Sequence, residues 1–279
     1  MPARRLKMHR VEKPWGRRSL WPGFADPAPD QGPVGEIWFQ DDADPQAELL
    51  VKYLFTSERL SIQVHPDDAA ARASGHPRGK DEAWLVLDAA ADSTIAIGTR
   101  SSVDHPRLRA AAEDGSIEAM MDWRPVQAGD VFYSPAGTVH AIGAGITLVE
   151  VQQNVDLTYR LYDYGRPRAL HLDAGIAVSN AQPFEPNFTP EEAGPGRMIL
   201  CEGPKFVLER WTLESGRTLT LPDPVPGWFV PLSGEGSLDG ERWTAGEVWR
   251  IDGRTFFDAI RTGDVLIAYP LARRISAFD

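Results

Sequence analysis

Apolar and polar residues alternate with a period of two along most of this chain, and the 3.6-residue period of a helix surfaces only in short windows. Glu36 to Gln40 and Glu48 to Phe55 read as strands, as do Gly79 to Asp88, Ser93 to Gly98, Gly145 to Gln153 and Thr158 to Asp163. Leu170 to Leu172 is expected to close the sheet, and Val126 to Gly143 reads as short strands punctuated by Gly129, Pro135 and Gly137. Two windows read as helices. Asp67 to Ala73 carries acids in its first turn after Pro66, and Asp104 to Glu113 has Asp104 as N-cap, Pro106 in the first turn and Gly115 beyond its end. Ile117 to Met121 adds one more turn. Between Lys13 and Gly35 the chain is dense in proline and glycine, yet Trp15, Trp21 and Phe24 give it apolar surface to bury, which predicts an arm packed across a barrel.

A polar, proline-bearing linker runs from Ala181 to Pro195, and a second strand-rich stretch follows from Met198 to the end. Gly246 to Ile260 echoes Gly129 to Ile142, with the slot of His140 falling at Phe257 or Asp258, so the echo lacks the histidine. Many short strands with evenly spaced turns predict a mainly β protein of two cupin- or jelly-roll-like β-barrels, with short helical insertions in the first. The division expected is a metal-binding domain with its N-terminal arm at 1–180 and a degenerate β domain without metal ligands at 181–279.

Composition narrows the partners. The chain has 279 residues, 42% of them hydrophobic and 25% charged, which is ordinary for a globular protein with a sizeable core. A net charge of −11 argues against a nucleic-acid or anionic-membrane surface, though a locally positive pocket would still admit a small anion. Cys201 is the single cysteine, which excludes an internal disulfide and a cysteine zinc cluster and fits a reducing cytoplasm. The basic start continues into Arg10, Glu12 and Lys13 rather than an apolar run, so it does not read as a signal peptide. No stretch approaches the roughly 18 apolar residues of a membrane span.

Candidate chemistry centres on Leu60-Ser-Ile-Gln-Val-His-Pro66. Side chains two apart in a strand point the same way, so Ile62 and Val64 can pack into one layer while Ser61, Gln63 and His65 project together into a cavity. Lys80 and Glu82 are likewise two apart, and His140 follows the last turn of its run. Gln63, His65, Glu82 and His140 would together suit zinc or another borderline divalent ion and leave a position for water or substrate. The competing reading is a set of satisfied core or surface histidines. His9, His76 and His105 lie in apparent loops or the arm and read as solvated, whereas His171, between two leucines, reads as a satisfied strand histidine.

Four motifs in register, Leu60 to Pro66, Gly79 to Trp84, Pro135 to Ile142 and Glu150 to Arg166, resemble those of class I mannose-6-phosphate isomerases in their short bacterial form. The resemblance is strong over about 11 to 175 and holds only in outline beyond. It implies a cupin-fold, zinc-dependent aldose–ketose isomerase that interconverts mannose 6-phosphate and fructose 6-phosphate through an enediol(ate) proton transfer, with one zinc ion per chain on Gln63, His65, Glu82 and His140. It further implies Arg160 as catalytic arginine, Lys80 as active-site lysine and Glu150 as proton shuttle, with Ser61 and Arg166 holding the phosphate. The implied partner is a small sugar phosphate, and the chain a monomer or homodimer.

Plainer roles stand beside these. Glu150 could pair with Lys80 or Arg160, and Arg166 could be a solvated surface charge. The family's larger helical insertion is absent, which would shift its contribution to specificity onto the helices near 67–74 and 104–121, and arginine stands at position 166 where a lysine is common. The alternative in a different class is a non-catalytic sugar-phosphate-binding cupin. A cupin oxygenase would prefer iron and leave the basic residues without purpose.

Overall fold

The computed structural model describes residues 3–21, 23–215, 218–221, 225–252 and 255–275; Pro22 of the arm, and Gly253 and Arg254 of the echo, lie outside them. Two pairs of antiparallel sheets stack into four layers. The first layer is a five-stranded sheet in the order Tyr159–Tyr162, Ile62–Val64, His140–Ile142, Thr94–Thr99 and Met121–Pro125. Facing it is a six-stranded sheet ordered Lys7–Arg17, Val34–Gln40, Leu49–Phe55, Ile146–Gln153, Glu82–Ala89 and Val131–Ser134. The third layer has seven strands, with Gly227–Pro231, Gly263–Tyr269, Val207–Leu213 and Arg197–Glu202 at its centre. A four-stranded sheet that includes Thr255–Arg261 and Glu235–Leu238 closes the stack.

Packing explains which strands alternate and which do not. The six-stranded sheet is covered on both faces, so Leu49–Phe55 is buried at every position and reads as a nearly continuous apolar run. Tyr53, Phe55, Val51, Leu85 and Val149 pack outward against Leu208, Trp228, Val230 and Leu266 of the third layer. From the other face Leu54, Leu148, Trp84 and Val86 meet Ile95, Ile97 and Ile142 of the first layer. Helices lie outside that first layer, where Leu108, Ala111 and Ala112 cover Ile62, Val64 and Ala96.

Both windows expected to be helical fold as such. Asp67 caps Asp68–Ala73 by accepting from the Ala70 amide, Asp104 caps His105–Asp114 through Arg107, and Gly115 closes the latter in the left-handed region at φ 84°. Three expectations change. The arm expected over Lys13 to Gly35 begins inside a strand, Lys7–Arg17, on the edge of the six-stranded sheet, whose outer positions stay exposed and mask the alternation, and it then packs Trp21 and Phe24 on the core. Before it, Ala3–Arg5 crosses over to pair with Trp249–Ile251 of the third layer. Leu170 to Leu172 does not close a sheet: Leu172–Val178 is a helix, and it lies so close to the strand beneath that a Cβ on Gly175 would come within 2.6 Å of Leu161. The expected linker is pinned along the first half, Gln182 accepting from the Thr99 amide, before Glu191–Gly194 pairs with Arg197–Glu202. No helix among the described residues is long and apolar enough to cross a membrane.

Candidate active site

Register across the first layer brings the polar strand positions together. Gln63 lies opposite His140 on one side and Arg160 on the other. In the facing sheet Trp38, Lys52, Glu150 and Trp84 form one row across four strands, and Gln152 and Glu82 pair in the row beyond. Directly opposed residues share a face, so both inner faces present polar groups to one cavity of about 330 Å³.

Behind Gln63 and Lys80, which line it, His65, Glu82 and His140 are all buried, with ligand atoms within 4.8 Å of one another. Nδ1 of His65 donates to the Leu157 carbonyl and Nδ1 of His140 to the Thr138 carbonyl, each at 2.9 Å. These bonds fix both tautomers and leave both Nε2 lone pairs aimed inward, 3.3 and 3.5 Å from the Glu82 carboxylate. Glu82 Oε2 is buried and meets no hydrogen-bond donor among the described residues. A buried orphan acceptor beside two neutral imidazoles is a costly arrangement unless a cation joins it. Two nitrogens and a carboxylate oxygen suit zinc, so these residues fit the metal. Gln63 completes the group: its amide nitrogen lies 3.3 Å from His140 Nε2, and its oxygen accepts from Ser61 Oγ at 3.0 Å. A hydroxyl both donates and accepts, so the amide keeps its Ser61 bond when turned to offer its oxygen instead.

Electrostatics sort the surrounding groups. Burial pushes the His65 imidazole down and that of His140 to about 4, so near neutrality protons do not occupy the nitrogens a metal would need. Burial also opposes the charge on Glu82, but Lys80 and His65 outweigh it and hold that carboxyl well below its usual range. Against the same burial, Glu82 and Glu150 keep the Lys80 ammonium above its ordinary value. Lys80 Nζ bonds Glu82 and lies 3.4 Å from His65 Nε2. Glu150 goes the other way, its carboxyl raised by burial and then by Glu82. Its Oε2 accepts from Trp84 Nε1 at 3.1 Å, and its Oε1 lies 3.4 Å from Lys52 Nζ.

Ser61, Gln63, Lys80, Glu150 and Arg160 therefore line one cavity beside the His65, Glu82 and His140 cluster. Arg166 does not line it; Arg168 does. No residue of 67–74 or 104–121 reaches the cavity either: Ala71 of the first helix packs on Val155 and Leu157, and the helices at 104–121 cover the outer face of the first layer. Sequence reading passed over Lys13, Glu36 and Lys52, which extend the inner wall: Lys13 Nζ lies 3.3 Å from Glu36, Trp38 Nε1 donates to the same carboxylate at 2.5 Å, and Lys52 Nζ sits 4.2 Å above the Trp38 ring. One signal was available, since a lysine in the middle of the apolar run Leu49–Phe55 needs a buried counter-charge. His171 is the N-cap residue of a helix rather than part of a strand, and its Nδ1 accepts from the Arg160 amide at 3.1 Å.

The second half presses on this site from behind. Asp68 accepts from the Gly79 amide and from Gln153 through Oδ1, and from Lys205 of the second half through Oδ2, at 2.8, 3.1 and 2.7 Å. Gly203 lies so close under Tyr133 that a Cβ there would come within 2.1 Å of the ring, and Tyr133 donates to Asp81 at 2.6 Å. The segment carrying Lys80 and Glu82 is thus clamped on both sides.

Relatives bear on this geometry. The mannose-6-phosphate isomerase of Streptococcus mutans is 35% identical over 203 residues, covering 68% of this chain and 62% of that protein. Mannose-6-phosphate isomerase ManA of Bacillus subtilis is 35% identical over 200 residues, covering 68% and 63%. The chain thus matches somewhat under two thirds of the length of these curated relatives. No family model matches it. Among solved structures, the mannose 6-phosphate isomerase from Bacillus subtilis superposes with a TM-score of 0.82 at 22% identity, over 96% of this chain and 99% of that one. A zinc-bound mannose 6-phosphate isomerase superposes at 0.73 and 16% identity, over 97% and 100%. Sequence and architecture agree, and the chain belongs to the mannose-6-phosphate isomerase family, built on its cupin fold.

Proposed function

We propose that this protein interconverts mannose 6-phosphate and fructose 6-phosphate, and that residues 1–180 carry the reaction while 181–279 form the domain without metal ligands. The observation that carries this reading is the contact of the buried His65, Glu82 and His140 cluster with Gln63 and Lys80, which line one cavity with Glu150 and Arg160. One zinc ion per chain would be held by Gln63, His65, Glu82 and His140, where it would supply a Lewis acid for the oxygens on C1 and C2 of the open-chain sugar.

The remaining work falls to the protein. Glu150 is the proton carrier: its carboxylate takes the proton from C2, the electron pair moves to form the C1–C2 double bond, and the same carboxyl returns the proton to C1. A proton passes from the C2 hydroxyl to the C1 oxygen, which completes the ketose. Burial and Glu82 raise the Glu150 carboxyl towards the working pH, which favours a group that must both accept and release. The Trp84 bond fixes its orientation. Lys80, held charged by Glu82, and Arg160 are the donors for the oxygen that gathers negative charge. Ser61 steadies the Gln63 amide.

A coupled assay for fructose 6-phosphate formed from mannose 6-phosphate, with and without chelator, tests the reading. Turnover abolished by chelator and restored by zinc is expected. Binding of mannose 6-phosphate without turnover at full zinc loading would identify a sugar-phosphate-binding cupin instead.

A further inference from the structure

We propose that the substrate phosphate is held by Arg168, together with the His171 ring, and not by Arg166. The inference rests on the sugar-phosphate reading above.

Arg166 is occupied elsewhere. Its Nε and Nη2 donate to Asp163 Oδ1 at 3.1 and 2.8 Å, Nη2 also reaches the Arg59 carbonyl at 2.8 Å, and Nη1 lies 3.6 Å from Glu58. Its guanidinium sits 5.5 Å from the Tyr164 ring centroid. Every face of the group has a protein partner, and none of it borders the cavity.

Arg168 leaves the same loop in a different direction and lines the cavity. Asp163 holds it from behind, accepting from Nε and Nη2 at 2.6 Å each, while Nη1 meets no acceptor among the described residues. Two fixed bonds of that kind aim the third nitrogen. Arg160 faces the same space, and its buried Nε has no partner among the described residues. Because His171 Nδ1 accepts from the Arg160 amide, the neutral ring carries its proton on Nε2, a third donor lining the cavity.

Two guanidinium groups on one wall repel, and burial together with Arg168 lowers the pKa of Arg160. Asp163 and Asp156 offset part of that repulsion, but Asp163 is shared between Arg166 and Arg168 and Asp156 is exposed, while Glu36 and Glu150 lie on the facing sheet against Lys13 and Lys52. A dianionic phosphate relieves it. The turn that sorts the two arginines is built by Tyr164 and Gly165, both left-handed, at φ 54° and 79°.

Steady-state kinetics of the zinc-loaded protein separate the two arginines. Losing one charge-assisted contact should raise KM for mannose 6-phosphate about 10- to 100-fold in Arg168→Ala, with kcat within about threefold. The concentration of inorganic phosphate that halves the rate should rise by a similar factor. Arg168→Lys should recover part of the loss, because a point charge replaces a fork, and it also serves should the alanine variant not fold. In Arg166→Ala the rise in KM should stay below that of Arg168→Ala. An unchanged KM in Arg168→Ala, or a larger rise in Arg166→Ala, overturns the assignment. Should the wild-type protein convert no mannose 6-phosphate, the isomerase reading fails. Calorimetric titration with inorganic phosphate then decides the anion site by itself: binding lost in Arg168→Ala supports it, and equal binding overturns it.

Discussion

The two halves of this protein use the same device, a pair of facing antiparallel sheets, and fill it in different proportions of charged and apolar side chains. Between the sheets of the first half lie Lys80, Glu82, Glu150, Lys52 and two histidines, all buried. In the second half the space holds mainly Phe229, Trp243, Trp249, Phe257 and Ile267, with the buried Glu209 at one side held by Arg197, Trp211 and Tyr269. Phe257 takes the inward position of the echo and stacks on Phe229 with ring centroids 5.1 Å apart, while Asp258 faces outward. An apolar filling needs no partners beyond shape and area, whereas each buried charge in the first half requires another within reach. A run of alternating signs results, from Lys13 through Glu36, Lys52, Glu150 and Lys80 to Glu82. The second half gains stability from its interior, and the first keeps polar groups in place for a ligand.

Substitutions can break or sharpen that contrast. The largest effect is expected from His140→Ala, which should lose bound metal and at least about 10³-fold in turnover together, as metal analysis and the coupled assay would record. Arg160→Ala should keep the metal and lose about 10² to 10³-fold in turnover; retained turnover would remove Arg160 from the mechanism. In the other half, Phe257→Ala should cost about 3 to 5 kcal/mol in chemical denaturation while metal per chain stays constant, and metal loss there would show that the halves are not separable in this way.

A subtler comparison concerns Lys52 and Glu150. A base must be ionised, so kcat/KM should fall as pH drops through the raised pKa of Glu150, placing the acid limb above the ordinary glutamate range of about 4.5. Lys52 lowers that pKa, so Lys52→Met should move the limb to higher pH; a shift the other way would contradict Glu150 as the titrating group. Smallest is Lys205→Ala, which removes a partly exposed tie between the halves and should change stability by about 1 kcal/mol or less with metal content unchanged.

Much of this was legible in the chain. Alternation at 61, 63 and 65, and at 80 and 82, is a local consequence of strand geometry and carried the inward-facing polar groups with it. Asp67, Asp104 and Gly115 marked helix ends through bonds within one turn. The helix at Leu172–Val178 was missed because no side-chain cap announces it and close packing through Gly175 stabilises it instead. Lys52, Glu36 and Lys13 were missed as wall residues because sheet register, not sequence spacing, aligns Trp38, Lys52, Glu150 and Trp84.

Residue types and their faces were thus determined by the sequence alone, since a period of two or 3.6 is written within a few neighbours. Only the tertiary structure decided which arginine enters the cavity. Arg166 and Arg168 stand two apart in one loop, and neither differs in kind from the other. A left-handed turn at Tyr164 and Gly165, together with Glu58 and Arg59 from a distant part of the chain, sends one away from the cavity and leaves the other facing it. Those partners lie more than a hundred residues away in sequence, beyond the reach of any local pattern.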